Sequence, residues 1–215
     1  IVATLFAPPT LRLALFPILT IALAAPSLFR IWAAITAPKN VPLTAGPLLE
    51  DEDLPVYTVL VPMRDEANMV PQMVRALRRL DYPREKLDIK FVVESASPRT
   101  VAAVQRYLDD ARFSLVVVPR HAPHTKPKAL NFALPLARGH YVTVFDAEDV
   151  PEPKQLRLAA ASLAAAPERI ACLQAHLAID NVDDSLLTRL FAIECAALFD
   201  VINPGLAAFS LPVPL

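Results

Sequence analysis

The sequence predicts an α/β domain, a mainly parallel sheet with helices on both faces, preceded by a transmembrane helix. Two observations carry this. From position 57 onward, short β-rich apolar runs alternate with single amphipathic stretches. Ahead of them, residues 1–36 hold only Arg12 and Arg30 as charges. The balance of the 215 residues narrows the functional classes. With 21 basic and 22 acidic side chains the net charge is −1, which excludes binding to nucleic acid by bulk attraction to phosphates. With 54% hydrophobic and 20% charged residues the chain is not disordered. Two cysteines, Cys172 and Cys195, make neither a disulfide scaffold nor a four-ligand zinc site, and a reduced cytosolic setting is the simpler reading. The chain begins with Ile1 and ends on an apolar run, and reads as a piece of a longer protein.

The elements follow in order. Residues 13–29 form an uncharged stretch of 17 residues. At about 1.5 Å per residue it spans roughly 26 Å, and residues 31–35 extend it to cover the ~30 Å hydrocarbon core. Pro17 and Pro26 predict a kinked helix, and Trp32 suits the membrane interface. No basic start precedes the run, which argues against a signal peptide. Arg30 and Lys39 follow it, placing the globular part on the cytoplasmic side of an inner or plasma membrane. Residues 37–56 read as a linker, with Pro38, Pro42, Gly46 and Pro55 as breakers and Glu50-Asp51-Glu52-Asp53 as a solvated charge run.

The globular domain is expected over residues 57–200, with 201–215 as an apolar tail. Strands are predicted at 57–61, 88–94, 113–118, 141–145 and within 170–179. Helices are predicted at 68–80, 100–108, 128–137, 154–165 and 185–199. Val70, Met73, Val74, Leu77 and Leu80 make one helical face, with Arg75, Arg78 and Arg79 opposite. Helix 185–199, charged only at Arg189 and Glu194, is either a core helix or one lying on a membrane surface.

Ligands of an open parallel sheet bind beyond the carboxyl ends of its strands. Those positions here hold Pro62 to Glu66, then Glu94 and Ser95, then Arg120 to Lys128, then Asp146-Ala147-Glu148-Asp149. Three carboxylates within four residues repel one another unless a cation neutralises them, and oxygen ligands suit Mg²⁺ or Mn²⁺ bridging to phosphates. The other reading is a solvated turn that caps the next helix. Lys126 and Lys128 open a helix carrying Asn131 and either meet phosphate oxygens or are surface lysines. Neither a Walker loop nor a G-x-G-x-x-G turn is present. His121 and His124 lack helical ligand spacing, and no nucleophile elbow surrounds Ser95 or Ser97.

Four segments in this order resemble family 2 glycosyltransferases. Thr58 to Glu66 looks like the family's opening strand and Pro-x-x-x-Glu turn; Leu80-Asp81-Tyr82-Pro83 looks like its Leu-x-Tyr-Pro. Lys126-Pro127-Lys128-Ala129-Leu130-Asn131 resembles its Lys-x-x-x-Leu-Asn segment, and Asp146-Ala147-Glu148-Asp149 its Asp-x-Asp metal motif. The apolar helix ahead of them points to the membrane-bound, cellulose-synthase-like branch. The resemblance implies a glycosyltransferase A-type, Rossmann-like fold and an inverting, metal-dependent transfer from a UDP-sugar to a glycan or polysaccharide acceptor. Carried over, Asp146, Glu148 and Asp149 would serve the metal. Pro62, Glu66 and Glu94 would hold the nucleoside, and Lys126 or Lys128, with Asn131 and Asp146, the rest of the donor. The family's strand-end Asp is absent, because Ser95-Ala96-Ser97 stands there. Its later general base and Gln-x-x-Arg-Trp motif have no counterpart either, so the base is expected beyond Leu215. A nucleotidyltransferase and a non-catalytic nucleotide-binding or scaffold domain at a membrane remain the alternatives.

Overall fold

The computed structural model describes residues 9–36 and 46–213, so 37–45 of the expected linker and the last two residues of the expected tail lie outside the described residues. The chain forms two compact units, Leu43–Leu173 and the remainder (Ile1–Pro42 with Gln174–Leu215).

The unit Leu43–Leu173 is built on four strands: β1 (Tyr57–Met63), β2 (Leu87–Glu94), β3 (Phe113–Val118) and β4 (Tyr141–Val144). They lie in the order β3-β2-β1-β4, and every pairing is parallel. Tyr57 pairs with both Leu87 and Tyr141, so the three strands start level. The two central strands are buried on both faces, which is why they read as continuous β-branched and aromatic runs rather than alternating ones.

On one face Val59, Val61, Ile89, Phe91 and Val93 pack with Met73, Val74 and Leu77 of α2 (Val70–Arg78). Val104 of α3 (Pro98–Gln105) and Leu156 of α5 (Gln155–Ala165) complete that core. On the other face Leu60, Val92, Val116 and Val118 lie under Ala129 and Ala133 of α4 (Lys126–Ala133). Each fully buried large side chain contributes about 1.5–3 kcal/mol. Proline stands in the first turn of α2, α3 and α4, where no backbone donor is lost.

The amino ends of the strands are locked by a polar network. The 1% exposed Asp88 carboxylate accepts from Thr58 Oγ1 (2.8 Å), Lys90 Nζ (2.9 Å) and the Arg138 N–H (3.1 Å). Burial alone pushes the Asp88 carboxyl up, but these donors together hold it below its ordinary value. Thr58 Oγ1 also accepts the Gly139 N–H at 2.8 Å, and a Cβ on Gly139 would stand 2.3 Å from the Thr58 nitrogen.

One sequence expectation fails here: residues 170–179 contain no strand. Most of them are exposed, and the alanine-rich run has neither the β-branched content nor a buried face that would hold it in a sheet.

In the second unit, α1 (Pro9–Thr36) runs 28 residues through Pro17 and Pro26. A second helical run comprises α6 (Leu186–Ala196), a π-helical stretch (Ala197–Ile202) and α7 (Asn203–Ala208). Ser185 and Thr188 cap its start reciprocally. The two runs meet where Gly205 lies against Ala33; a Cβ on Gly205 would stand 2.3 Å from the Ala33 carbonyl oxygen. Trp32 and Phe209 stack beside this contact at 4.2 Å. Leu15–Thr36 and Leu186–Ala208 are each long and apolar enough to cross a membrane, by length and composition alone.

Candidate functional site

Four strand-end segments line one cleft of about 290 Å³ at the carboxyl edge of the sheet. From β1 come Pro62, Met63, Arg64 and Glu66; from β2, Val92 and Glu94. His124, Thr125, Lys126 and Ala129 enter from the loop and helix after β3, and Asp146, Ala147 and Glu148 from the turn after β4. The expected donor residues Pro62, Glu66, Glu94, Lys126 and Asp146 and the expected metal residue Glu148 are therefore brought together.

The turn after β1 is shaped by its own polar groups. The Arg64 N–H donates to Glu66 Oε2 at 3.2 Å. Asp65 adopts a left-handed φ of 57°, a conformation that costs a non-glycine residue about 1 kcal/mol or more. Its N–H is held at 3.2 Å by Ser97 Oγ, reaching across from the segment after β2. Ser97 thus braces the turn, a role that only the folded chain reveals.

Glu94 ends β2 with a side chain only 6% exposed. Its Oε2 is buried and accepts no hydrogen bond; the imidazole Nδ1 of His124 lies 3.4 Å from it. A buried carboxylate oxygen facing a cleft without a donor is set to accept one from a ligand. Sequence reasoning set His124 aside; the signal was its place two residues before Lys126.

The turn after β4 is closed from both sides. The Asp149 N–H donates to the Asp146 carbonyl at 3.1 Å, and Asp149 Oδ2 accepts the Asp146 N–H at 2.8 Å. Asp149 is thereby turned onto the backbone and is not among the residues that line the cleft. Burial pushes its carboxyl up, the Asp146 N–H opposes this, and the Asp146 and Glu148 charges push it up further. Asp146 and Glu148 face the cleft, and the Lys126 ammonium pairs directly with Asp146 Oδ1.

Among the described residues no three His, Cys, Asp or Glu side chains gather into a metal centre. Asp146 and Glu148 are nevertheless a fitting donor pair for Mg²⁺ or Mn²⁺, which take one or two protein carboxylates and fill their remaining positions with phosphate oxygens and water. Asn131 is exposed and outside the cleft lining. Lys128 is also outside it; its Nζ donates to the carbonyls of Pro119 (3.0 Å) and His121 (2.7 Å).

Comparison with known proteins agrees with this geometry. Residues 58–205 match the family described as Glycosyl transferase family 2. The chain is 28% identical over 145 residues to "Probable glycosyltransferase YdaM" of Bacillus subtilis (strain 168), covering 66% of this chain and 34% of that protein. It is 31% identical over 162 residues to "Beta-monoglucosyldiacylglycerol synthase" of Synechocystis sp. (strain ATCC 27184 / PCC 6803 / Kazusa), covering 73% and 33%. The chain spans about a third of the length of these relatives. Among solved structures it resembles the mannosyltransferase PcManGT from Pyrobaculum calidifontis in complex with GDP-Man and Mn²⁺, at 27% identity and a TM-score of 0.52, covering 69% of this chain and 43% of that one. With a parallel sheet carrying a carboxylate-and-lysine cleft and a family match over more than half its length, the chain belongs to glycosyl transferase family 2.

Proposed function

We propose that the chain is the donor-binding part of a membrane-anchored inverting glycosyltransferase that takes a UDP-sugar and passes the sugar to a glycan or polysaccharide acceptor. One observation carries the reading: a cation, two carboxylates and a buried, donor-seeking carboxylate oxygen share one cleft at the carboxyl edge of the sheet.

The cleft divides by chemistry. Glu94, with Pro62 and Glu66 beside it, is the half suited to a nucleobase, because a carboxylate accepts from a ring N–H. Lys126, Asp146 and Glu148 are the half suited to a diphosphate. Asp146 and Glu148 would hold Mg²⁺ or Mn²⁺, which would stabilise the charge that develops on the leaving diphosphate. In the transfer the acceptor oxygen bonds to the anomeric carbon, the bond from that carbon to the phosphate oxygen breaks, and its electron pair leaves with the diphosphate. Lys126, already paired with Asp146, would meet that charge. The acceptor's proton passes to a general base.

Support for a metal and a nucleotide sugar also comes from the PcManGT structure, whose ligands are GDP-Man and Mn²⁺. Membrane anchoring rests on Leu15–Thr36, whose Phe16, Ile18, Ile21, Leu23 and Ile35 are exposed, and the cytoplasmic orientation on Arg30 and Lys39. Calorimetric titration with UDP, GDP and ATP, with and without Mn²⁺, tests the reading. UDP binding that requires Mn²⁺ is expected. Preference for GDP would change the donor, and preference for ATP or indifference to the metal would overturn the proposal.

A further inference from the structure

Two lysines open α4, and the fold gives them different surroundings. Lys126 pairs with Asp146 in the cleft. Lys128 is 18% exposed in its side chain and is spent elsewhere. An ammonium has three N–H donors. Two of those on Lys128 go to the carbonyls of Pro119 and His121, and the Nζ lies 3.8 Å from Glu94 Oε1. With two of its donors engaged and its side chain outside the cleft lining, Lys128 is not placed to grip a phosphate there.

We infer that Lys128 is a positioning residue that fastens the 119–125 loop so that His124 stands against Glu94 at the nucleobase half of the cleft. The inference rests on the donor-cleft reading above. Glu94 sits between the two attachments, its Oε1 toward Lys128 and its Oε2 toward His124 Nδ1 at 3.4 Å. Arg64 Nη1 also tethers the loop, donating to the His124 carbonyl at a long 3.4 Å. Loss of Lys128 frees two loop carbonyls and leaves the buried Glu94 charge facing His124 alone. The damage therefore falls where the base would sit, whereas loss of Lys126 falls where the phosphates would.

The test compares Lys128→Met, Lys128→Gln and Lys126→Met in the whole chain. Affinities for uridine and for UDP with Mn²⁺ are measured, together with the rate of tryptic cleavage at the exposed Arg120–His121 bond. Lys128→Met is expected to weaken uridine and UDP by the same factor, about tenfold, the scale of one charge-assisted hydrogen bond, and to speed the cleavage by a similar factor. Lys126→Met should weaken UDP alone and leave the cleavage unchanged. Lys128→Gln, which keeps N–H donors without the charge and carries the test should the methionine variant fail to fold, should fall between the methionine variant and the parent in both readouts. A loss selective for UDP in either Lys128 variant, with unaltered cleavage, would show Lys128 to be a phosphate ligand and overturn the inference. If the parent binds neither nucleotide, the donor reading fails, and the cleavage rates still decide whether Lys128 holds the loop.

Discussion

Replacing Asp88 with alanine removes the acceptor at the centre of the network that ties β1, β2 and the turn into β4 together. The magnitude follows from who is stranded. Lys90 keeps a buried ammonium, 8% exposed, with its 2.9 Å partner gone. The Thr58 hydroxyl and the Arg138 N–H lose an acceptor as well. The Arg138 guanidinium is 71% exposed and contributes little, since solvent replaces its partner. Breaking a buried pair from one side costs about 3–5 kcal/mol, and that is the destabilisation expected. Lys90→Met in the same background should return at least about 1 kcal/mol, because it removes the stranded charge. Urea unfolding followed by near-ultraviolet circular dichroism reads the right unit, since Tyr57 packs with Tyr82 and Tyr141 at ring separations of 6.0 and 5.7 Å. The same carboxyl sets an acid limit. Its folded-state value is lowered, so its contribution is present above the ordinary aspartate value of about 3.9 and is lost as pH falls through the lowered value. A loss below about 1 kcal/mol in Asp88→Ala, or no recovery in the double variant, would refute this reasoning.

Burial raises Tyr57 to about 12, with Tyr141 nearby adding to the shift. Its contribution to stability is therefore full below the ordinary tyrosine value near 10 and lost as pH rises toward 12, and absorbance titration at alkaline pH should show its ionisation coinciding with unfolding. Ser97→Ala should cost about 1 kcal/mol by taking the acceptor from the left-handed Asp65, and should weaken nucleotide binding beyond that by loosening the β1 turn; unchanged stability and affinity would remove Ser97 from the site's support. Gly205→Val should separate α7 from α1, because even a Cβ there meets the Ala33 carbonyl, and fluorescence of Trp32, stacked on Phe209, should report the change. An unchanged spectrum would contradict that packing.

The parallel sheet was legible because strands buried on both faces leave unbroken runs such as Tyr57 to Val61 and Phe113 to Val118, with single helices between them. The cleft was legible because polar residues after such runs have only one edge of the sheet to occupy. What stayed hidden depends on contacts distant in sequence. Asp88 and Lys90 sit in a strand and share a face, but Arg138 and Thr58 reach Asp88 only in the fold. Nothing in the spacing of Lys126 and Lys128 tells the phosphate candidate from the loop fastener; the carbonyls of Pro119 and His121 do. Asp149 looked like a third metal ligand, and its tie to the Asp146 amide is local geometry that composition does not encode. Residues 170–179 misled because an apolar alanine-rich run satisfies a strand reading without having a sheet to join.

The central claim is that Asp146 and Glu148 grip a divalent ion together with a nucleotide's diphosphate. Electron paramagnetic resonance of Mn²⁺ titrated with the chain and UDP measures this directly. The free Mn²⁺ signal should fall only when UDP is present. It should persist in Asp146→Asn, and fall as in the parent in Asp149→Asn, whose amide oxygen still accepts the Asp146 N–H. Capture of Mn²⁺ that survives Asp146→Asn, or that ignores UDP, would contradict the account.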